Sequence, residues 1–282
     1  TVDVKGSMID QIATISTNND PLLGKIIADA FRSVDNTGVV MMETASDGKT
    51  HVEVVDGVQY DKGLKNSHFV TNQATKTAEL ENPLVLLLES PVDTIRQIQS
   101  VLEYVIKNNK PLLIIGDLEQ GVLSALAMNK MKGNIKVNVI DAPIYGINKQ
   151  QMLQDLSLLT GATIINEDLG DDMEMIQPEH LGGCVKSVTS HEDTILQVEE
   201  SPQQVVEVID EIKSKLLNEK NPNKLIKLEK RLAMLSAKIA IVKVGANSEI
   251  ELKEKTDRVE DAICATKAAI CLLYTSPSPR DR

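Results

Sequence analysis

Short apolar runs and longer amphipathic stretches alternate through the middle of the chain. The apolar runs, whose length is typical of buried strands, lie at 83–88, 111–115, 137–140 and 163–165. The stretches between them repeat apolar residues at helical spacing and lie at about 91–107, 119–132 and 149–159. Because strand and helix alternate with short connections, the pattern predicts a βαβ core with parallel strands.

The sequence pattern after this core predicts a hairpin followed by helices. Strand-like runs at 183–188 and 194–198 predict an added hairpin. The apolar residues at 205–217 and 225–235 then follow helical spacing on either side of a break at 221–223. This arrangement predicts an antiparallel helix pair.

The two ends of the chain combine helices with short strands. The strands are predicted at 39–42, 51–55 and 239–244, and the helices at about 20–36 and 248–270. Asp56-Gly57, directly after the second of these strands, is a turn or hinge signal.

The last residues of the chain differ in composition from the rest. The helical pattern stops at Ile270, and residues 271–282 are rich in Ser, Pro and Arg. Such a stretch resembles translated cloning sequence more than a folded segment. We therefore predict that it is a non-native tail outside the last helix, and that Cys271 carries no function.

Composition indicates a globular, soluble protein of about two domains. The chain has 282 residues, of which 42% are hydrophobic and 25% charged, and with two Phe and no Trp its core must be aliphatic. A formal net charge of −11 disfavours nucleic acid and membrane surfaces as partners. Three widely spaced cysteines and the absence of an apolar run of about 18 residues favour a reducing, cytoplasmic location.

No motif assembles a catalytic or metal site by itself. Residues 116–121 follow a strand and open a helix, but Val122 and Leu123 stand where a phosphate loop needs Lys and Ser or Thr. The four histidines are scattered and lack the spacing of metal ligands. The acidic residues within 167–172 are either a solvated turn or a hard-cation site, and they lack the alternation of a calcium loop.

The predicted helix at 119–132 is apolar on nearly its whole circumference. Its sides carry Val122 and Leu126, then Leu123, Ala127 and Met131, then Met128. A surface helix with one core face is polar over most of its circumference. This helix is therefore either sandwiched in the core or exposes an apolar contact surface. Its Met residues fit the second alternative, because Met suits surfaces that adapt to several partners.

Several longer stretches occur in an order and spacing that point to one family. They are Ala13-Thr-Ile-Ser-Thr-Asn-Asn-Asp20, Val55-Asp-Gly-Val-Gln-Tyr-Asp-Lys-Gly63, Lys110-Pro-Leu-Leu-Ile-Ile115, Met152-Leu-Gln-Asp-Leu156 with Leu159-Thr-Gly-Ala162, and Lys253-Glu-Lys255 with Arg258-Val-Glu-Asp-Ala262. Through them residues 1–270 resemble a GroEL-type (group I) chaperonin, from its first intermediate-domain segment through the apical domain to its second intermediate-domain segment.

The resemblance implies a fold class and a domain organisation. Residues 1–56 and 239–270 would form a small α+β intermediate domain. Residues 57–238 would form an α/β apical domain with a βαβ core, an added hairpin and an antiparallel helix pair. The equatorial domain, which carries the phosphate-binding loop in this family, would lie outside the chain. The chain would then be a fragment of a subunit, truncated at both ends.

The resemblance also implies a function. It is that of an ATP-dependent molecular chaperone, which captures unfolded polypeptides in an apolar apical groove and encloses them under a GroES-type cochaperonin lid. The full-length subunit would bind ATP and Mg²⁺, hydrolyse ATP and assemble into rings, whereas the fragment alone would bind no cofactor and be inactive. A stand-alone α/β protein-binding module without an ATP cycle is the alternative. An unrelated α/β enzyme is disfavoured because no catalytic cluster is present.

The residues that bind polypeptide and cochaperonin in this family match positions of this sequence in two helices and in a segment that underlies them. They are Leu64, Asn66, His68, Phe69, Gln99, Leu102, Leu123, Ala127, Met128 and Asn129. An exposed apolar strip is expected through Leu102, Leu123, Ala127 and Met128. Leu64 and His68 stand where the family usually has aromatic residues, and Gln99 replaces a leucine, so substrate preference or lid affinity is expected to differ.

Catalytic, hinge and ring-contact positions transfer in the same way. Asp261 matches the aspartate that positions the attacking water. Gly57 matches one hinge glycine, and Ala237-Lys238 replaces a usual glycine pair, which restricts the backbone and predicts stiffer opening. Lys62 and Glu249 match an inter-subunit salt bridge, in which Lys loses the bidentate fork of the common Arg.

Overall fold

The computed structural model describes most of the chain, which divides into two compact units. The described residues are 7–34, 39–45, 48–60, 62–73, 75–142, 147–198, 203–218, 221, 224–225, 228, 231–232, 235, 238–246 and 248–275. By residue number, unit 1 comprises 1–55 and 237–282, and unit 2 comprises 56–236. The assignment of these units as intermediate and apical domains stays a prediction.

The described elements are helices, strands and a few short 3-10 turns. The helices are α1 (Ser7–Ser16), α2 (Pro21–Ser33), α3 (Gln99–Lys107), α4 (Gln120–Met131), α5 (Ile147–Thr160), α6 (Gln203–Asn218) and α7 (Glu249–Thr275). The strands are β1 (Val39–Thr44), β2 (His51–Tyr60), β3 (Ala78–Glu81), β4 (Leu84–Leu88), β5 (Leu112–Ile115), β6 (Val137–Ile140), β7 (Ile164–Ile165), β8 (Gly182–Gly183), β9 (Lys186–Thr189), β10 (Thr194–Gln197) and β11 (Lys238–Val244). The chain is therefore a mixed α/β protein.

A parallel sheet with the strand order β6-β5-β4-β7 forms the centre of unit 2. Leu84 of β4 is opposite Leu112 of β5, which is opposite Val137 of β6. β7 lies on the other side of β4, where Leu87 is opposite Ile164. Every residue of β5 and β6 is buried, as a strand covered on both faces requires. The predicted βαβ core is confirmed.

A second, antiparallel sheet of unit 2 contains the predicted hairpin. Residues 57–60 of β2 pair with β10, β10 pairs with β9, and β9 pairs with β3. Thr194 is opposite Tyr60 on one side and opposite Thr189 on the other. The predicted hairpin at 183–198 is therefore present, with its strands at β9 and β10.

Unit 1 packs three helices against a short parallel pair of strands. β1 runs parallel to β11, with Val39 opposite Ile239. The core of this unit is aliphatic and includes Ile27 of α2, Val242 of β11 and Val259 of α7. The Asp20 carboxylate accepts hydrogen bonds from the first free amides of α2, at 3.0 and 3.1 Å.

Three sequence predictions differ from the structure or lie outside it. β2 continues through Asp56-Gly57, where no turn forms, because neither residue is incompatible with extended backbone. The predicted end of the last helix at Ile270 is wrong: α7 runs to Thr275, since no helix breaker stands before Pro277. The second helix of the predicted antiparallel pair lies largely outside the described residues.

Candidate functional site

Helix α4 has one buried and one exposed apolar face. Val122, Leu123, Leu126 and Ala127 face the core between α4 and the parallel sheet. Leu123 is only 3% exposed, whereas Met128 is 54% and Met131 61% exposed. The two alternatives drawn from the sequence are thus each correct for part of the helix.

The expected exposed strip is wrong for three of its four members. Leu102 of α3 is buried in the same core as Leu123 and Ala127. These side chains fill the space between the helices and the sheet, as aliphatic side chains on the inner face of a helix do. Met128 remains as the exposed member. Met131, which the sequence placed on the same side as Leu123, extends the exposed part of α4.

Helix α3 also exposes apolar side chains that the sequence analysis did not select. Tyr104 and Ile106 are both exposed and flank the buried face formed by Val101, Leu102 and Val105. Gln99, the first residue of α3, is exposed, and its Nε2 donates to Glu103 Oε1 at 2.7 Å. Ile106 belongs to the apolar stripe that the sequence predicts for this helix, so the local pattern gives no signal of its exposure.

Residues 64–70, called the underlying segment below, run beside α4. Leu64 is partly buried, pairs with Ile140 of β6 and donates its amide to Ser190 O at 2.8 Å. Asn66 Oδ1 accepts the His68 amide at 3.0 Å, so this side chain caps the following turn. Phe69 is fully buried, whereas His68 is exposed.

Lys130 of α4 contacts the underlying segment directly. Its Nζ donates to His68 O at 3.1 Å and to Val70 O at 3.0 Å. The same ammonium lies 5.9 Å from the centre of the Phe69 ring, within cation–π range. Burial lowers the pKa of this ammonium to about 8. Neighbouring Asn129 instead bonds within the helix, where its Nδ2 donates to Ala125 O at 2.9 Å.

Comparison with known proteins decides the family. The sequence model of the TCP-1/cpn60 chaperonin family matches residues 1–272. The chain belongs to this family. Its members are chaperones that act in protein folding. Membership of the family therefore assigns a chaperone function to the chain. The match covers both units, which shows that unit 1 and unit 2 are parts of one chaperonin sequence.

The predicted hinge and ring-contact positions belong to other elements than α4. Gly57 is buried within β2, opposite Gln197 of β10. Lys238 is the exposed first residue of β11, and Ala237 lies outside the described residues. Lys62 is partly buried in unit 2, and Glu249 is the exposed first residue of α7 in unit 1. Their roles stay predictions.

Asp261 lies in the exposed part of α7. Val259, Ala262 and Ile263 of the same helix are buried in the core of unit 1. The carboxylate therefore faces away from that core, as its position in the helical pattern predicts. One exposed carboxylate does not by itself hold Mg²⁺-ATP, so for the described residues the nucleotide role of Asp261 stays a prediction. Among the described residues no cluster of three His, Cys, Asp or Glu could hold a metal ion.

Two of the acidic residues within 167–172 accept backbone amides of the surrounding turns. Asp171 Oδ2 accepts the Asn166 amide at 3.0 Å, and Asp172 Oδ1 accepts the Glu174 amide at 2.9 Å. Gly170 ends the first short turn with a left-handed φ of 100°. Of the two alternatives for this acidic group, a solvated turn and a hard-cation site, these contacts support the turn. No helix in the described part of the chaperonin is both long and apolar enough to cross a membrane.

Proposed function

We propose that this chain is the apical and intermediate part of a GroEL-type (group I) chaperonin subunit, and that unit 2 captures non-native polypeptides for ATP-dependent refolding under a cochaperonin lid. The exposed Met128 and Met131 on α4 carry this proposal. Apolar side chains normally avoid such exposure in pairs on one helix, and flexible Met side chains adapt to many sequences.

The exposed and the buried residues among those predicted to bind polypeptide have different roles in the proposed site. His68, Gln99 and Met128 are exposed and would contact the polypeptide, together with Met131. The buried members fix the shape of the surface from below. They are Phe69, Leu102, Leu123 and Ala127. Leu64, Asn66 and Asn129 hold the underlying segment and α4 in their conformations.

The expected affinity of one such site is low. Full burial of a Met side chain contributes about 1.5–3 kcal/mol, so covering the exposed halves of two contributes on the order of 2 kcal/mol before the cost of ordering. Several copies in a ring would bind one unfolded chain much more tightly through avidity. Ring assembly is therefore part of the proposal.

Capture by the full chain tests the proposed site. The probe is a reduced, carboxymethylated protein that stays unfolded, and its binding is followed without nucleotide. Met128→Glu and Met131→Glu should weaken binding at least tenfold while leaving the circular dichroism spectrum unchanged. Met175→Glu is the matched control, because Met175 is also an exposed Met of unit 2, at 67%. Equal loss in all three variants, or no loss in any, would contradict the proposed site.

The ATP cycle is proposed from the family and needs a nucleotide-binding loop that this sequence does not contain. We expect no steady ATP turnover from the chain itself. In a complete subunit, Asp261→Ala should slow hydrolysis strongly and leave nucleotide binding intact. ATP turnover by the present chain would contradict the assignment. The alternative of a stand-alone binding module predicts no equatorial domain encoded on either side of this sequence.

A further inference from the structure

We propose that Lys130 is a positioning residue of the polypeptide-binding site, because it ties the underlying segment to α4 next to the exposed methionines. This inference rests on the proposed function. Lys130 stands between Met128 and Met131 in the sequence of α4. The contacts of its ammonium with 68–70 are called the Lys130 latch below.

The latch joins two elements that are distant in sequence. Lys130 Nζ donates to His68 O and Val70 O, which are 62 and 60 positions away. In the described part of the chain no other donor reaches these two carbonyls, since the Thr71 and Asn72 amides both donate to Thr77 O. The ammonium thus satisfies two backbone acceptors that the short turn at 67–69 leaves open.

The latch is one of several restraints on the segment, so its loss loosens the segment without unfolding it. Leu64 remains paired with Ile140, and Asn66 still caps the turn. Phe69 remains buried in the core of unit 2. What Lys130 adds is a fixed distance between α4 and the exposed residues Ser67 and His68. A surface fixed before binding loses less conformational freedom when a polypeptide arrives.

Lys132 is the matched control, because it carries the same charge two positions further along. It is exposed, and although its backbone amide donates to Met128 O, its ammonium makes no hydrogen bond or ion pair within the described residues. A general effect of positive charge near α4 would therefore depend on both lysines. The latch depends on Lys130 alone.

The test combines hydrogen exchange with capture, both on the full chain. In Lys130→Met, and in Lys130→Gln as a second variant, amides of the 66–71 peptide should exchange about tenfold faster, while β4 to β6 keep their protection. Binding of the unfolded, carboxymethylated probe should weaken about three- to tenfold, as expected from lost preorganisation. Lys130→Arg should restore both properties, and Lys132→Met should change neither.

Each contrary result has a distinct meaning. Unchanged exchange at 66–71 in both Lys130 variants would overturn the latch. Faster exchange with unchanged capture would overturn its role in positioning. Faster exchange throughout β4 to β6 would make Lys130 a general stability residue and would also overturn the proposal. If the wild-type chain captures no probe, the proposed function fails, and the exchange data alone still decide whether the latch exists.

Discussion

Replacing Arg231 with Met should destabilise unit 2 strongly. Arg231 Nε donates to Asp155 Oδ2 at 2.8 Å, and its Nη2 donates to Oδ1 at 2.7 Å, a bidentate pair. The Asp155 side chain on α5 is only 2% exposed. The hydrogen bonds that Arg231 donates to Asp155, partly opposed by burial, raise the pKa of Arg231. Arg231→Met leaves the carboxylate buried without its cation, which costs about 3–5 kcal/mol in other proteins.

Urea unfolding with hydrogen exchange of α5 measures this loss. With a slope of about 2 kcal/mol per molar urea, the midpoint for unit 2 should fall by roughly 1.5–2.5 M. The control is Lys213→Met, which removes an exposed pair with Asp210 in the same unit and should cost at most about 1 kcal/mol. Combining Arg231→Met with Asp155→Leu should recover most of the stability, because no unpaired charge remains.

A loss of less than about 1 kcal/mol for Arg231→Met would refute this prediction, since the carboxylate would then find water or another donor. The prediction would also be refuted if the double variant were no more stable than the single one. In that case the packing of the Arg231 stem, and not the buried charge, would determine the loss.

The remaining predictions concern packing, thiol reactivity and pH. Leu123→Ala should cost about 2–5 kcal/mol of unfolding free energy and Met128→Ala less than about 0.5, measured by urea titration; equal costs would contradict their burial. Iodoacetamide at pH 8 should alkylate exposed Cys264 in the folded chain but spare Cys184, whose pKa burial raises to about 12; peptide mass spectrometry would show early labelling of Cys184 if this is wrong. The unfolded chain keeps the Lys130 proton up to about pH 10.5, whereas the folded chain loses it near pH 8. Wild type should therefore gain stability relative to Lys130→Met as pH rises between these values, and a constant difference would contradict the lowered pKa.

The sequence predicted elements well where local pattern decides them. The apolar runs of β4, β5 and β6 are short and bounded, and a strand buried on both faces must be apolar throughout. The hairpin of β9 and β10 likewise follows from alternation near a turn. In each case the residues that determine the element lie within it.

Features that depend on distant residues were not predictable. Because α4 is apolar on nearly all sides, its own pattern could not tell whether Leu123 or Met128 faces the core. The contact of Lys130 with His68 O spans 62 positions, and no local signal marks it. The end of α7 does not follow composition, because residues 271–275 differ in composition from the rest of the chain and remain helical.

The position of β7 in the parallel sheet has a consequence for folding order. β4, β5 and β6 follow one another through single helices, so their pairing needs only short loops to close. β7 instead returns to the free side of β4, where Ser90 Oγ donates to Asn166 Oδ1, 76 positions away. Closing so long a loop is slow. β7 pairs with Leu87 and Leu88 only, and β8 pairs with Leu84 and Val85. We therefore expect β4 to keep an incompletely paired edge during synthesis until residue 183 is made, and that edge is open to mispairing with other nascent chains.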